Sequence, residues 1–287
     1  MSQIKFGVCE SCLPEAGPEV CRAASEVGLS GVALEIGHIL SGLQLAEECN
    51  QRRYLEAAQK YGVEFCALAL NTFGEYTLLH PEKTEEDQVV RDILRRSIQT
   101  AANLRIPVIQ VPSFFDNGIR TQKDMEATAG YLREMCEMAE RHGIIIGSEN
   151  LLNAEGNREL MSLVDRPNFK IYFDTQNAIY FGVGDPETMI RRLGPENICQ
   201  IHIKDGTKEN LGSVRLGAGN GHFLECMEAI RDIDYSGWIV LENYYDRLEE
   251  LAEDVRILKS IASEQTWRNP PGCPDSPRIG INKTQMI

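Results

Sequence analysis

The chain of 287 residues is short of several things, and each shortage removes a class of function. It has no run of about 18 apolar residues, the length a membrane-spanning helix requires. Its N-terminus, MSQIKFGVCE, has neither the basic segment nor the long apolar stretch of a secretion signal, so the expected location is the cytoplasm. Positive charge is scarce: 29 Lys and Arg stand against 43 Asp and Glu, a net charge of −14. That balance opposes approach to nucleic-acid backbones and anionic membrane surfaces, and neither is an expected partner. There is no Gly-rich phosphate loop followed by lysine, which argues against nucleoside triphosphates.

Histidine is also rare, with five in the chain. Nine cysteines are an odd number scattered through a chain without secretion signals, which favours reduced thiols over a disulfide framework. Cys9 and Cys12 form a lone C-x-x-C. Without a second pair or a neighbouring histidine they read as small core residues.

What the sequence has is a repeating alternation. Short runs rich in Val, Ile and Phe fall at 4–9, 31–36, 64–70, 108–113, 144–150, 170–175, 199–205 and 238–243. Several are apolar throughout, as strands of a parallel sheet covered on both faces must be. Between them lie segments whose apolar residues step by three and four, such as Met125, Ala129, Leu132, Cys136 and Ala139, or Leu248, Leu251, Val255, Leu258 and Ala262. Thr84 with Asp87 and Thr121 with Asp124 have capping-box spacing, and Asp185 before Pro186 reads as a cap followed by the first helical residue. Gly28, Gly62, Gly143 and Gly194 sit where left-handed C-terminal caps belong. Eight β-then-α units predict an α/β fold of the (β/α)8 TIM barrel type. The barrel is placed at 1–265 as one domain. The Pro- and Gly-rich segment 266–287 is read as an irregular tail resting on the barrel or on a neighbouring subunit.

In such a barrel the C-terminal strand ends carry the chemistry. Glu149, Asp174, His202 and Glu242 end the fifth to eighth strand candidates, so four adjacent strands each deliver one potential metal ligand to the same rim. Three carboxylates close together repel and raise one another's pKa values, and a divalent cation offsets that cost. The oxygen-rich set suits Mn²⁺ or Mg²⁺, with Co²⁺, Fe²⁺ and Zn²⁺ within its range. Other rim candidates are His38, Lys204 and Phe115. His38 follows the second strand. Lys204 shares a strand face with His202 and reads equally as a substrate contact or a salt-bridge partner. Phe114 and Phe115 can wall a pocket. His80 and His142 read as structural or solvated.

The segments IIIGSEN, IYFDTQN, QIHIKD with VRLGAGNGHF, and GWIVLEN resemble the strand motifs of the sugar phosphate isomerase/epimerase superfamily, the xylose-isomerase-like barrels that include ketose 3-epimerases and inosose isomerases. The resemblance spans roughly residues 4–262. It implies that Glu149, Asp174, His202 and Glu242 hold the metal and that Glu149 and Glu242 exchange protons with opposite faces of a substrate carbon. It also implies that Arg215, ahead of LGAG, holds a substrate oxygen. Two departures bear on the substrate: Asn177 stands where many relatives have histidine, and can hydrogen-bond a hydroxyl but not act as an acid, and His222 stands where many have an acidic residue.

The reading is therefore a divalent-metal-dependent isomerase or epimerase of a keto sugar, sugar phosphate or related polyol ketone. The alternative is a lyase of the inosose dehydratase or 3-oxo-C-glycoside-cleaving kind, which begins with the same deprotonation. The three-zinc apurinic endonucleases of the same architecture need more histidines than this chain has. A barrel that only binds its sugar would be favoured by loss of a ligand, and none of the four is missing. The tail and the superfamily's habit point to a homo-oligomer, or a hetero-oligomer in the lyase case.

Overall fold

The protein is described by a computed structural model covering residues 4–74, 76–79 and 84–263. His80 and the segment 266–287 lie outside the described residues. The apolar runs form β1 (Lys5–Cys9), β2 (Gly31–Glu35), β3 (Glu64–Ala69), β4 (Val108–Ser113), β5 (Ile145–Asn150), β6 (Phe169–Asp174), β7 (Ile198–Ile203) and β8 (Trp238–Leu241). All pair in parallel, each with its sequence neighbours, and β8 pairs with β1 to close the barrel. Helices α1 (Glu19–Glu26), α2 (Glu48–Tyr61), α3 (Glu85–Leu104), α4 (Gln122–Glu140), α5 (Ala154–Val164), α6 (Asn177–Tyr180), α7 (Pro186–Leu193), α8 (Phe223–Asp232) and α9 (Leu248–Ser263) connect or follow them. This is a TIM barrel.

The main core lies between sheet and helices, where strand residues of one parity, including Val8, Leu34, Ile109, Ile146, Phe173, Ile201 and Leu241, are at most 4% exposed. From α4, Met125, Ala129, Leu132, Cys136 and Ala139 are all buried, as the three-and-four spacing predicts. From α9, Leu251, Val255 and Leu258 are buried. Inside the barrel, the floor is set by Trp238. A Cβ on Gly31 would lie 2.4 Å from its ring, so only glycine admits the indole there.

Helix starts follow the local chemistry. Thr84 accepts a hydrogen bond from the Asp87 N–H, and Thr121 and Asp124 complete a reciprocal capping box. Asp185 occupies the position before Pro186, but its side chain makes no cap bond; Pro186 has no N–H to offer. Gly28, Gly62, Gly143 and Gly194 all have positive φ.

Candidate metal centre

Asp174 and His202 are register partners on β6 and β7, and Glu149 lies one strand further at the end of β5. Strand β8 stops at Leu241, two residues short of the apolar run at 238–243. Glu242 is nevertheless held to the rim, because its N–H donates to the Ile203 carbonyl at 3.0 Å. Glu149, Asp174, His202 and Glu242 thus bring one potential ligand atom each to within 4.8 Å of one another. His202 Nδ1 faces the acids, 3.2 Å from Glu242 Oε2, 3.5 Å from Glu149 Oε1 and 4.0 Å from Asp174 Oδ2.

The pocket already holds a cation of the chain's own. Lys204 Nζ lies 2.6 Å from Glu242 Oε2 and 3.0 Å from Asp174 Oδ2, with the residue 8% exposed. Of the two open readings for Lys204, the ion pair is the one present. Asn177 also arrives: its Nδ2 donates to Glu149 Oε1 at 3.3 Å and its N–H to Asp174 Oδ1 at 2.6 Å. Gln110, the one polar side chain in the interior of β4, donates to the other oxygen of Glu149.

Protonation reflects this crowding. Burial drives the Asp174 carboxyl up to about 7, with Lys204 opposing and Glu242 and Glu149 reinforcing the shift. Burial alone would lower His202, but Glu242 and Glu149 outweigh it and raise the imidazole to about 10. Burial would raise Glu242, yet His202 and Lys204 hold it well below the ordinary carboxylate range. The donor set suits a divalent ion: Asp174 Oδ2 and His202 Nδ1 are buried without a well-aligned hydrogen bond, and three acids share one small volume.

The family model of the xylose isomerase-like TIM barrels matches residues 21–261. The chain belongs to this family. Among characterised relatives, the 2-epi-5-epi-valiolone 7-phosphate 2-epimerase of Actinoplanes sp. is 32% identical over 84% of this chain and 87% of its own length. The L-ribulose-5-phosphate 3-epimerase of Shigella boydii is 24% identical over 88% of this chain and 92% of its own. Among solved structures, a D-tagatose 3-epimerase-like protein superposes with a TM-score of 0.75 at 22% identity, covering 90% of this chain and 96% of that one; at that identity the likeness bears on the fold alone.

Within this xylose isomerase-like barrel, the remaining candidates lie apart from the four-residue cluster. Arg215, expected to hold a substrate oxygen, pairs here with Glu253 on α9, and its side chain is 54% exposed. The cause is the way its loop is tied down. Leu216 N–H donates to Asp254 on α9, and Asn243 Nδ2 bonds both Val214 O and Asp254, which turns residue 215 outward. Phe115 is 73% exposed with φ 49°, standing on the rim after β4. His38 is exposed and lines a cleft of ≈ 800 Å³ where the C-terminal ends of β1 and β2 meet α1 and α2, together with Glu10 and Tyr54. His222, at the start of α8, pairs with Glu187 at 3.2 Å.

Three residues in or near the site carry weight that the sequence reading did not assign. Gln110 orients Glu149. Cys9 places its sulfur 3.4 Å from His202 Nε2. Asp205 accepts four backbone N–H bonds, from Gly206, Gly217, Gly219 and Gly221, at 2.8–3.0 Å, and so ties down the loop after β7. Gln110 left a legible sign, a polar residue in the apolar interior of its strand. The other two needed the fold.

Proposed function

We propose that the protein is a divalent-metal-dependent epimerase or isomerase of a small polyhydroxylated ketone, by proton transfer at the carbon next to the carbonyl. The observation that carries the reading is the convergence of Glu149, Asp174, His202 and Glu242, from four consecutive strand ends, within 4.8 Å of one another. The two characterised relatives support the reaction class, since both are named as epimerases of sugar or sugar-like phosphates. They favour a phosphorylated ketose or cyclic polyol ketone as substrate.

Glu149, Asp174, His202 and Glu242 would hold the ion, which supplies Lewis-acid polarisation of the substrate carbonyl. The proton transfers fall to the chain. Glu149 and Glu242 approach from β5 and β8, the outer two of the four strands. One removes the proton from the substrate carbon, leaving an enediolate, and the other returns a proton to the opposite face, which inverts the carbon. Return at the neighbouring carbon instead exchanges aldose and ketose. Gln110 and Asn177 aim Glu149 by neutral hydrogen bonds, while Lys204 holds Glu242 in its ionised form.

The test is exchange of substrate carbon-bound hydrogen for solvent deuterium, followed by NMR over ketoses, ketose phosphates and cyclic polyol ketones, with Mn²⁺ and with chelator. Metal-dependent exchange with a new epimer or isomer is expected. Exchange accompanied by loss of a leaving group would replace the isomerase reading with the lyase one, and no exchange on any of them would refute both.

A further inference from the structure

Cys9 ends β1, the strand that closes the barrel against β8. Its Sγ lies 3.4 Å from His202 Nε2, with Cys9 7% and His202 2% exposed. The two nitrogens of this imidazole therefore face different chemistry: Nδ1 the three carboxylates, Nε2 a sulfur. Tyr172 packs edge-on against the ring, centroids 4.5 Å apart. A neutral imidazole carries one proton, and only when it sits on Nε2 does Nδ1 turn a lone pair toward the acids.

We propose that Cys9 is a positioning residue whose sulfur accepts the Nε2–H of His202 and so fixes the tautomer that presents Nδ1 to a divalent ion. The proposal rests on reading the four residues as a metal centre. Ligating histidines usually give their second N–H to a carboxylate or a carbonyl. A carboxylate here would add a fourth negative charge to Glu149, Asp174 and Glu242. A buried thiol accepts the N–H without adding charge. Cys9, His202 and Glu242 also lie within 4.8 Å as a potential ligand group of their own, so direct ligation by the sulfur is the competing role.

The full chain is compared with Cys9→Val, which fills similar space but accepts no hydrogen bond, and with Cys9→Ser, which restores an acceptor. Mn²⁺ affinity is measured by calorimetry, the His202 tautomer by nitrogen-detected NMR of the Zn²⁺-loaded protein with a His202→Asn control, and Co²⁺ absorption reports thiolate ligation. C9V is expected to lose about tenfold in Mn²⁺ affinity, the low end for loss of an outer partner, with C9S close to the parent. The parent and C9S show the Nε2–H tautomer. Unchanged affinity in C9V, a loss in C9S equal to that in C9V, an Nδ1–H tautomer in the parent, or a thiolate–cobalt band each overturns the proposal. If C9V does not fold, Cys9→Ala takes its place as the variant without an acceptor, with the same loss in Mn²⁺ affinity expected. A parent chain that binds no Mn²⁺ refutes the metal centre itself, whereas a parent that binds with C9V unaffected refutes only the role of Cys9.

Discussion

Lys204 Nζ sits between Glu242 and Asp174, 2.6 Å from one carboxylate and 3.0 Å from the other, so part of the site's negative charge is neutralised by the chain itself. Removing one partner of a buried ion pair leaves the other uncompensated. Lys204→Met is expected to destabilise the metal-free protein by about 3 kcal/mol, and Mn²⁺ is expected to recover a larger share of stability in the variant than in the parent. Urea unfolding with and without the ion checks both; an unchanged metal-free midpoint would sink the idea.

Glu149→Gln and Glu242→Gln each keep the shape of the side chain and remove its capacity to take a proton. Each is expected to lower turnover by about 10²–10⁴-fold while retaining the parent's circular dichroism. Deuterium exchange by either variant at the parent rate would remove that glutamate from the proton-transfer pair.

The metal-free protein should lose stability as pH rises. His202 has its folded pKa raised from 6.5 to about 10, so its contribution is complete below pH 6.5 and is lost on the way to 10. Asp174, raised from 3.8 to about 7, keeps its proton longer in the folded state, so folding also weakens across that interval. Metal binding requires both groups deprotonated and runs the other way. The urea midpoint of the metal-free protein is expected to fall between about pH 6.5 and 8.5, and the increment from added Mn²⁺ to grow over the same range. A metal-free midpoint rising with pH would contradict the protonation pattern.

Gly219 and Gly221 let the loop after β7 close onto Asp205: a Cβ on Gly219 would lie 2.2 Å from Gly206 O and 2.3 Å from Asp205 Oδ1. Gly219→Ala and Asp205→Ala are expected to loosen this loop, lowering stability by on the order of 3 kcal/mol for Asp205→Ala. Mn²⁺ affinity should be largely spared. Thermal unfolding and calorimetry separate the two effects, and a variant with parental stability would show that the four N–H bonds do not hold the loop.

In the cleft beside α1 and α2, the Tyr54 hydroxyl donates to Glu10, whose carboxyl burial pushes up to about 7 despite that bond and a second from the Glu35 N–H. Tyr54→Phe is expected to cost about 1–2 kcal/mol and to leave deuterium exchange unchanged, since the pair lies outside the four-residue cluster. Loss of exchange at full stability would place this cleft in the active site.

Much of this was legible in the chain. Eight apolar runs alternating with amphipathic segments determine the barrel, because a parallel strand covered on both faces must be apolar and the helix covering it must be apolar on one side only. The ionisable groups ending runs five to eight follow from the same rule, since strand termini in a closed barrel share a rim. What the pattern could not decide was direction beyond the strands. Arg215 lies in a loop, and the bonds of Asn243 and Asp254 turn it outward. Lys204 meets two carboxylates brought by other strands. Closure of β8 onto β1 sets Cys9 against His202 across 193 residues of sequence. Periodicity reports which face a residue takes within its own element; which side chains meet depends on the register and curvature of elements far apart in the chain, and only the folded barrel decides that.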